Sequence, residues 1–331
     1  MRILLVLASA DVSIADVSRG YYNALVRAGH DVRAMPLNKW IKYHTGRMDD
    51  HEGGDAAADL KRHTAVLQLA SEKTVIDAMR HQAELVIVVS GMAFHPDALA
   101  LLRVAGFKTA LIGTESPYDD EEHQYLANLC DVVTVNDRAS LSAITHPNLH
   151  YLPSAYDPAV HVPPGCVGPE YASDVFFVGT GFTERKELFE AADWTGIDLR
   201  LYGYWATVNN YSPIAKYIAP VALHNSEAVR WYAGTKVGIN LHRDGAGWSA
   251  NPRVFELAAV GAHQVVDRRR PEVRELLGDA ACYFDDLYDF EDRVRACLAD
   301  PEHRRKSAAE ALERIQGQTF DARVSDLLSW L

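Results

Sequence analysis

The 331-residue chain holds only four cysteines, Cys130, Cys166, Cys282 and Cys297, far apart and without a CxxC pair. That scarcity excludes a disulfide-stapled fold and points to a reducing compartment, with the cytoplasm as the default. Long hydrophobic runs are missing too. The N-terminal MRILLVLASA falls well short of the roughly 20 apolar residues that cross a bilayer. It also lacks the context of a signal-peptide cleavage site, so it reads as a buried first strand. Basic residues are in deficit, and the net charge of -12 argues against broad attraction to phosphate backbones while leaving room for a local basic pocket. The first strand ends in ASADVS, without the glycine fingerprint of a dinucleotide-binding dehydrogenase.

What is present has the composition of an ordinary globular protein, and the length suits two domains of roughly 100–200 residues each. Short runs rich in Val, Ile and Leu alternate with stretches of helical spacing, the pattern of parallel strands covered by helices on both faces. ILLVLA, DVRAM, LVIVV, KTALI and DVVTV make one set, and DVFFVG, DLRLYG, KVGINL, HQVVD and ACYF a second. Between them LPSAYDPAVHVPPGCVGPE, with five prolines and two glycines, forbids a long helix and reads as a linker. The expectation is α/β: two doubly wound Rossmann-like domains, 1–155 and 171–312, facing a central cleft. A helical tail, 313–331, crosses back to pack on the first. Residues 41–63, charged and glycine-bearing with no apolar period, read as a surface loop.

In open α/β sheets ligands bind beyond the carboxyl ends of the strands. Three junctions of the second half carry suitable chemistry. DVFFVGTGFTERKEL runs from a strand into Gly179 and Gly181, then Arg185 and Lys186; glycines admit a bulky anion and a fixed guanidinium grips a diphosphate. The bland alternative is a plain turn with surface basic residues. INLHRDGAGWSANPRVFE ends a strand, passes Ser249, and starts a helix with Asn251 as cap and Pro252 in its first turn, an anion-favouring terminus reinforced by Arg253. Glu256, one turn in, could reach hydroxyls of a ligand whose phosphates sit on the helix start, or simply pair with Arg253. LYGYWATVNNYSP offers Tyr204 and Trp205 for stacking, or for the core. His224, before the next helix, would edge the same cleft.

These residues together resemble the nucleotide-sugar-binding half of GT-B glycosyltransferases, most closely the CgeB-type spore-maturation family. The shared features are DVFFVG followed by Arg185, YGYW ending in Trp205, and NPRVFELAAVG with Glu256 and Gly261. The resemblance covers most of the second half, and the first half loosely through GHDV and GTESPYDD. It implies a nucleoside diphosphate sugar as donor, no required cofactor or metal, a ribose-binding role for Glu256, and diphosphate neutralisation by Arg185 and Lys186. Retaining members of the wider clan carry another glutamate eight residues before the ribose-binding one. Here that residue is Trp248, which leaves the sugar and the stereochemical outcome open, with Asp244 or His242 as stand-ins.

The resemblance makes 1–155 the acceptor side. There SGMAFHPDA places Gly91 and His95, a candidate base, after one strand, and GTESPYDDEEH places Glu115, Tyr118 and Asp119 after another. Asp119 to His123 reads as a helix first turn rather than a metal site. The acceptor is open between a glycan, a protein side chain and a hydroxylated nucleic-acid base. A nucleotide-sugar epimerase or phosphorylase on the same fold, and a non-catalytic nucleotide-sugar sensor, are the rival functions.

Overall fold

The computed structural model describes residues 1–8, 14–48, 56–219, 221, 223, 225–245 and 247–331. Contacts divide the chain into two compact units, Met1–Pro153 with Asp321–Leu331, and Ser154–Phe320. Each holds one six-stranded sheet, and every strand pair is parallel.

In the first unit the strands are β1 (Arg2–Leu7), β2 (Asp31–Pro36), β3 (Leu85–Val89), β4 (Lys108–Ile112), β5 (Val132–Val135) and β6 (Leu149–Tyr151), in the order β2-β1-β3-β4-β5-β6. The helices are α1 (Ala15–Arg27), α2 (Leu37–Met48), α3 (Ala56–His81), α4 (Pro96–Val104) and α5 (Asp120–Ala127). Ile3, Leu4, Leu5 and Val6 are buried in succession, as are all five residues of β3. Neighbouring strand residues point to opposite faces, so such burial requires helices on both.

The second unit has β7 (Ser173–Val178), β8 (Leu199–Tyr202), β9 (Ile218–Ala219), β10 (Thr235–Asn240), β11 (Gln264–Asp267) and β12 (Cys282–Phe284). Its helices are α6 (Thr183–Ala191), α7 (Asn225–Gly234), α8 (Pro252–Ala259), α9 (Pro271–Leu277), α10 (Leu287–Ala299) and α11 (Pro301–Arg314). The strand order β12-β11-β10-β7-β8-β9 is that of the dinucleotide-binding doubly wound fold, and it reverses direction between β7 and β10. The last helix, α12 (Phe320–Ser329), buries Val324 and Leu327. Within the first unit Asp321 pairs with Arg27 at 2.7 Å, and the Trp330 ring stacks on His150 with centroids 4.0 Å apart. Among the described residues no helix is long and apolar enough to cross a membrane.

The α/β reading holds, and the ten expected strands are all present. Residues 41–63 are a correction. The stretch 41–48 belongs to α2 and 56–63 to α3, with 49–55 outside the described residues. The buried stripe of α3, Val66, Ala70, Thr74 and Ala78, starts beyond residue 63, so its period is invisible within that window. Edge strands β6 and β9 were not expected, being too short to make an apolar run.

A buried histidine ties the second unit's core to solution pH. His263 lies 3.0 Å from Ser307 Oγ through Nδ1 and 3.2 Å from Cys297 Sγ through Nε2. Burial, reinforced by His303 and Arg304, lowers its pKa from 6.5 to about 4. Between those values the unfolded chain binds a proton that the folded chain refuses, so stability present above pH 6.5 is lost as the pH falls toward 4. The loss should approach about 3 kcal/mol. Urea titrations across this range should show a shallower decline for His263→Gln than for the parent.

Candidate functional site

The crevice between β7 and β10 gathers the strongest chemistry. At its β7 side, Gly179 N–H donates to Tyr202 O at 3.0 Å and Gly181 N–H to Tyr204 O at 2.7 Å. These amides extend the pairing toward β8, so they are already engaged and do not donate to a phosphate. Their smallness serves packing. A Cβ on Gly181 would lie 2.3 Å from Cε3 of Trp205, and one on Gly203, at φ +108°, would lie 2.3 Å from Gly179 O. Trp205 is correspondingly withdrawn from any ligand. It is 7% exposed, lies edge-on to Phe177 and Phe189, and donates Nε1–H to Tyr202 O at 3.2 Å. An indole bonded at its tip and packed on its faces belongs to the core.

Arg185, in the first turn of α6, reaches across the crevice. Nη1 donates to Thr180 O and Nη2 to Leu241 O, both at 2.9 Å, and the guanidinium lies 5.1 Å from the Phe182 ring centroid and 5.6 Å from that of Phe177. Nε is buried without a hydrogen-bond partner, and among the described residues no carboxylate stands within ion-pair distance. Burial and then the neighbouring Arg253 lower its pKa to about 10, so the group remains a cation at neutral pH. Lys186, one residue further round the helix, pairs with Glu190 at 3.7 Å instead of joining it.

From the β10 side α8 returns the gesture. Asn251 caps the helix: its side-chain oxygen accepts Val254 N–H at 3.3 Å, while Nδ2 donates to Asn240 Oδ1 at 2.9 Å and to Leu241 O at 3.4 Å. Pro252 has no N–H, so the anion-favouring character of this start rests on the helix dipole and on Arg253 rather than on a row of amides. Arg253 Nη1 donates to Val178 O at the end of β7, its Nε lies 3.6 Å from Glu256 Oε2, and its guanidinium stands 5.7 Å from the Tyr232 ring. Glu256, its side chain 13% exposed, accepts Tyr232 O–H at 3.2 Å on that same Oε2. Its Oε1 has no hydrogen-bond partner among the described residues. Ser249, in the preceding loop, is buried.

Sequence reasoning missed what supports this loop. His242 and Asp267 are both 3% exposed and face each other, with Nδ1 3.2 Å from Oδ1, while Nε2 of His242 accepts Asn251 N–H at 3.3 Å. Arg270 donates to the carbonyls of Arg243 and Gly245, each at 2.8 Å, and Glu272 accepts Ala250 N–H at 2.8 Å. His242 is therefore enclosed, and Asp244 is exposed and paired with Arg269. Trp248 is 37% exposed. His224 lies outside the described residues.

His95, in the first unit, caps α4, its Nδ1 accepting Asp97 N–H at 3.3 Å, and its own N–H donates to Ser71 Oγ at 2.9 Å. Gly91 adopts φ +74° between two non-glycine residues with left-handed backbones, Ser90 and Ala93. Glu115 O accepts Tyr118 N–H at 2.8 Å, and Asp119 precedes α5. In that helix His123 is buried and its Nε2 lies 2.7 Å from Ser90 O. Among the described residues no three His, Cys, Asp or Glu side chains converge as a metal site would require.

Two parallel-stranded α/β units of this kind define the GT-B glycosyltransferase architecture, and residues 185–329 match the protein family described as Glycosyl transferase-like. Similar solved structures bear out the fold over nearly the whole chain. A sucrose-phosphate synthase from Thermosynechococcus elongatus is 13% identical with a TM-score of 0.68, covering 99% of this chain and 97% of that one. A glycosyltransferase from Rickettsia africae is 11% identical with a TM-score of 0.66, covering 99% and 97%. A trehalose-6-phosphate protein from E. coli, bound with UDP-2-fluoro glucose, is 13% identical with a TM-score of 0.63, covering 99% and 98%. No curated protein matches the chain significantly in sequence.

A buried guanidinium bonded only to neutral carbonyls is a liability to the empty protein. Desolvating a charge costs several kcal/mol, which the two charge-assisted bonds, at about 1.5–3 kcal/mol each, do little more than offset. Arg185→Met should accordingly leave the melting temperature of the ligand-free protein within a few degrees of the parent or raise it. A loss above about 3 kcal/mol in urea titration would mark Arg185 as a structural residue.

Proposed function

We propose that the protein transfers a sugar from a nucleoside diphosphate sugar to an acceptor hydroxyl. The observation that carries this reading is a surplus of donors at the β7–β10 crevice. Arg185 Nε and Asn240 Nδ2 are both buried without an acceptor, and a second guanidinium, that of Arg253, stands near Arg185 and is ion-paired with the partly buried Glu256. Such a site is short of negative charge, and a diphosphate supplies it with oxygens matched to a guanidinium fork.

In the reaction the bond from the sugar's anomeric carbon to the diphosphate breaks as a bond to the acceptor oxygen forms, the diphosphate leaves with the bonding electron pair, and the acceptor hydroxyl's proton passes to the departing diphosphate or to water. Charge grows on the departing diphosphate, where Arg185, Arg253 and the positive end of the α8 dipole take it up. Glu256 Oε1 accepts from donor ribose hydroxyls, with Oε2 held by Tyr232 and Arg253. The two arginines supply the charge that a divalent cation would otherwise bring, so we read the transfer as metal-independent. The narrower kinship with CgeB-type proteins, and the first unit as the acceptor side, belong to this proposal. With Trp248 in place of a glutamate, the donor sugar lacks a carboxylate partner at that position, and the motif no longer argues for retention over inversion.

The similar E. coli structure holds a uridine diphosphate sugar, so uridine diphosphate and UDP-glucose are the first probes, with guanosine diphosphate as comparison. Calorimetric titration should show binding by the parent. Arg185→Ala should weaken it about a hundredfold, as expected for about 2–5 kcal/mol lost with one partner of a buried charge pair. Glu256→Gln should weaken it about tenfold with little change in melting temperature, following the about 1.5–3 kcal/mol of hydrogen bonds to charged groups. Absence of binding by every nucleoside diphosphate, or affinity indifferent to Arg185→Ala, would defeat the proposal. Conversion of donor alone to an isomer would replace transfer with epimerisation.

A further inference from the structure

The described residues of 242–251 carry no regular structure, yet the groups that would grip the donor follow directly from the end of this stretch. Its far anchor is the start of α8, where Asn251 is the cap, Arg253 the second helical residue and Glu256 one turn along. Arg270 and Glu272 hold the middle and the approach to the cap through backbone contacts. The cap's own backbone N–H is held by one group, the Nε2 atom of His242.

The hydrogen-bond directions are forced. Asn251 N–H can only donate, so Nε2 must carry a lone pair, and the imidazole proton sits on Nδ1 facing Asp267. Asp267 is prepared to receive it. Burial pushes its carboxyl upward, but hydrogen bonds from the ring and backbone of His242, the attraction between the two side chains, and the N–H of Arg269 outweigh burial and hold it below the usual carboxylate range. The His242 backbone N–H adds a 2.6 Å bond to Oδ2, so the histidine is fixed at both main chain and ring. Asp267 ends β11 and His242 follows β10, which makes the ring a strut from two adjacent strand ends to the helix start.

We propose that His242, oriented by Asp267, is a positioning residue for the donor: its Nε2 sets the place of Asn251 and hence of Arg253 and Glu256. This rests on the donor reading above. His242 does not touch the donor in this scheme. Its loss leaves the cap's side-chain bonds and the Arg270 and Glu272 anchors intact, so the fold persists while the first turn of α8 loses its register. A misplacement of about 1 Å at such a point can cost about a hundredfold in function.

Two amide substitutions separate the halves of the strut. In His242→Gln the side-chain oxygen takes the place of Nε2 and still accepts Asn251 N–H. In His242→Asn the amide nitrogen takes the place of Nδ1, keeps Asp267 and leaves Asn251 N–H without its acceptor. Asp267→Asn is a third arm: its amide can donate to Nδ1, drive the proton to Nε2 and confront Asn251 N–H with another donor, the wrong-tautomer effect. Amide hydrogen exchange of the ligand-free proteins should show Asn251 protected in the parent and in His242→Gln. It should show Asn251 exchanging at least tenfold faster in His242→Asn and Asp267→Asn, under conditions where all four proteins remain folded and with amides of the distant β1 and β3 protected alike. Uridine diphosphate titrations should follow the same split, within about threefold of the parent for Gln and ten- to a hundredfold weaker for the other two. Equal protection and equal affinity in His242→Gln and His242→Asn overturn the proposal. A parent that binds no nucleoside diphosphate defeats the donor reading instead, and the exchange pattern then decides by itself whether His242 positions α8.

Discussion

Two arginines crossing in opposite directions hold the centre of the second unit. Arg185 leaves the helix after β7 and bonds the chain beyond β10, at Leu241 O; Arg253 leaves the helix after β10 and bonds the end of β7, at Val178 O. Each side chain closes the gap made where the strand order reverses, because the connections from β7 and β10 depart to opposite sides of the sheet. A neutral bridge could close that gap as well. Guanidinium groups close it at the expense of placing two like charges together; Arg253 pairs with Glu256, and among the described residues no carboxylate stands within ion-pair distance of Arg185. The electrostatic imbalance is the feature on which the functional reading depends.

Around that imbalance the rest of the unit is arranged for rigidity rather than for further charge. Trp205 lies on Gly181, Gly203 turns against Gly179, and Thr207 Oγ1 bonds Gly181 O at 2.8 Å, so the loop carrying Arg185 has little freedom. On the other side Asp267, Arg270 and Glu272 reach from the end of β11 and the start of α9 to hold the loop carrying Arg253. Fixed dipoles and charges act on a developing charge without reorganising, which gives them their effect in a partly dry crevice. The surface ion pairs of the two neighbouring lysine and arginine positions, Lys186 with Glu190 and Arg269 with Asp244, lie apart from this and are solvated.

The strands were legible because consecutive apolar residues have few other uses, and their order explains what was not. Sequence spacing says that Asn251 caps a helix and that Pro252 opens it, since both are local. It does not say that position 267 lies beside position 242, which follows only from β11 pairing with β10. The same blindness misassigned neighbours in sequence: Arg185 and Lys186 are adjacent, but about 100° apart around α6, and only the first faces the crevice. Trp205 and the glycines stand at the expected junction, where Trp205 takes the core alternative; an aromatic near a glycine reads equally as a platform beside a gap or as a ring resting on the glycine that admits it. The helices within 41–63 were hidden for a different reason, their buried and partly buried apolar residues falling largely outside that window at Leu37, Trp40, Val66 and Ala70.

Glu256 shows why a structural partner and a ligand role need not compete. A carboxylate has two oxygens, and here one of them, Oε2, receives both the Tyr232 hydroxyl and the Arg253 guanidinium. That pairing offsets much of the cost of keeping an ionised group among Val254, Phe255, Leu257 and Ala258, all buried. It also fixes the plane of the carboxyl, so Oε1 is aimed rather than mobile. An acceptor atom held in place by bonds on its sister atom loses little further entropy on receiving a hydroxyl. In the proposed function, the ion pair that a purely structural reading would invoke is thus the device that holds the remaining oxygen ready for a ribose hydroxyl.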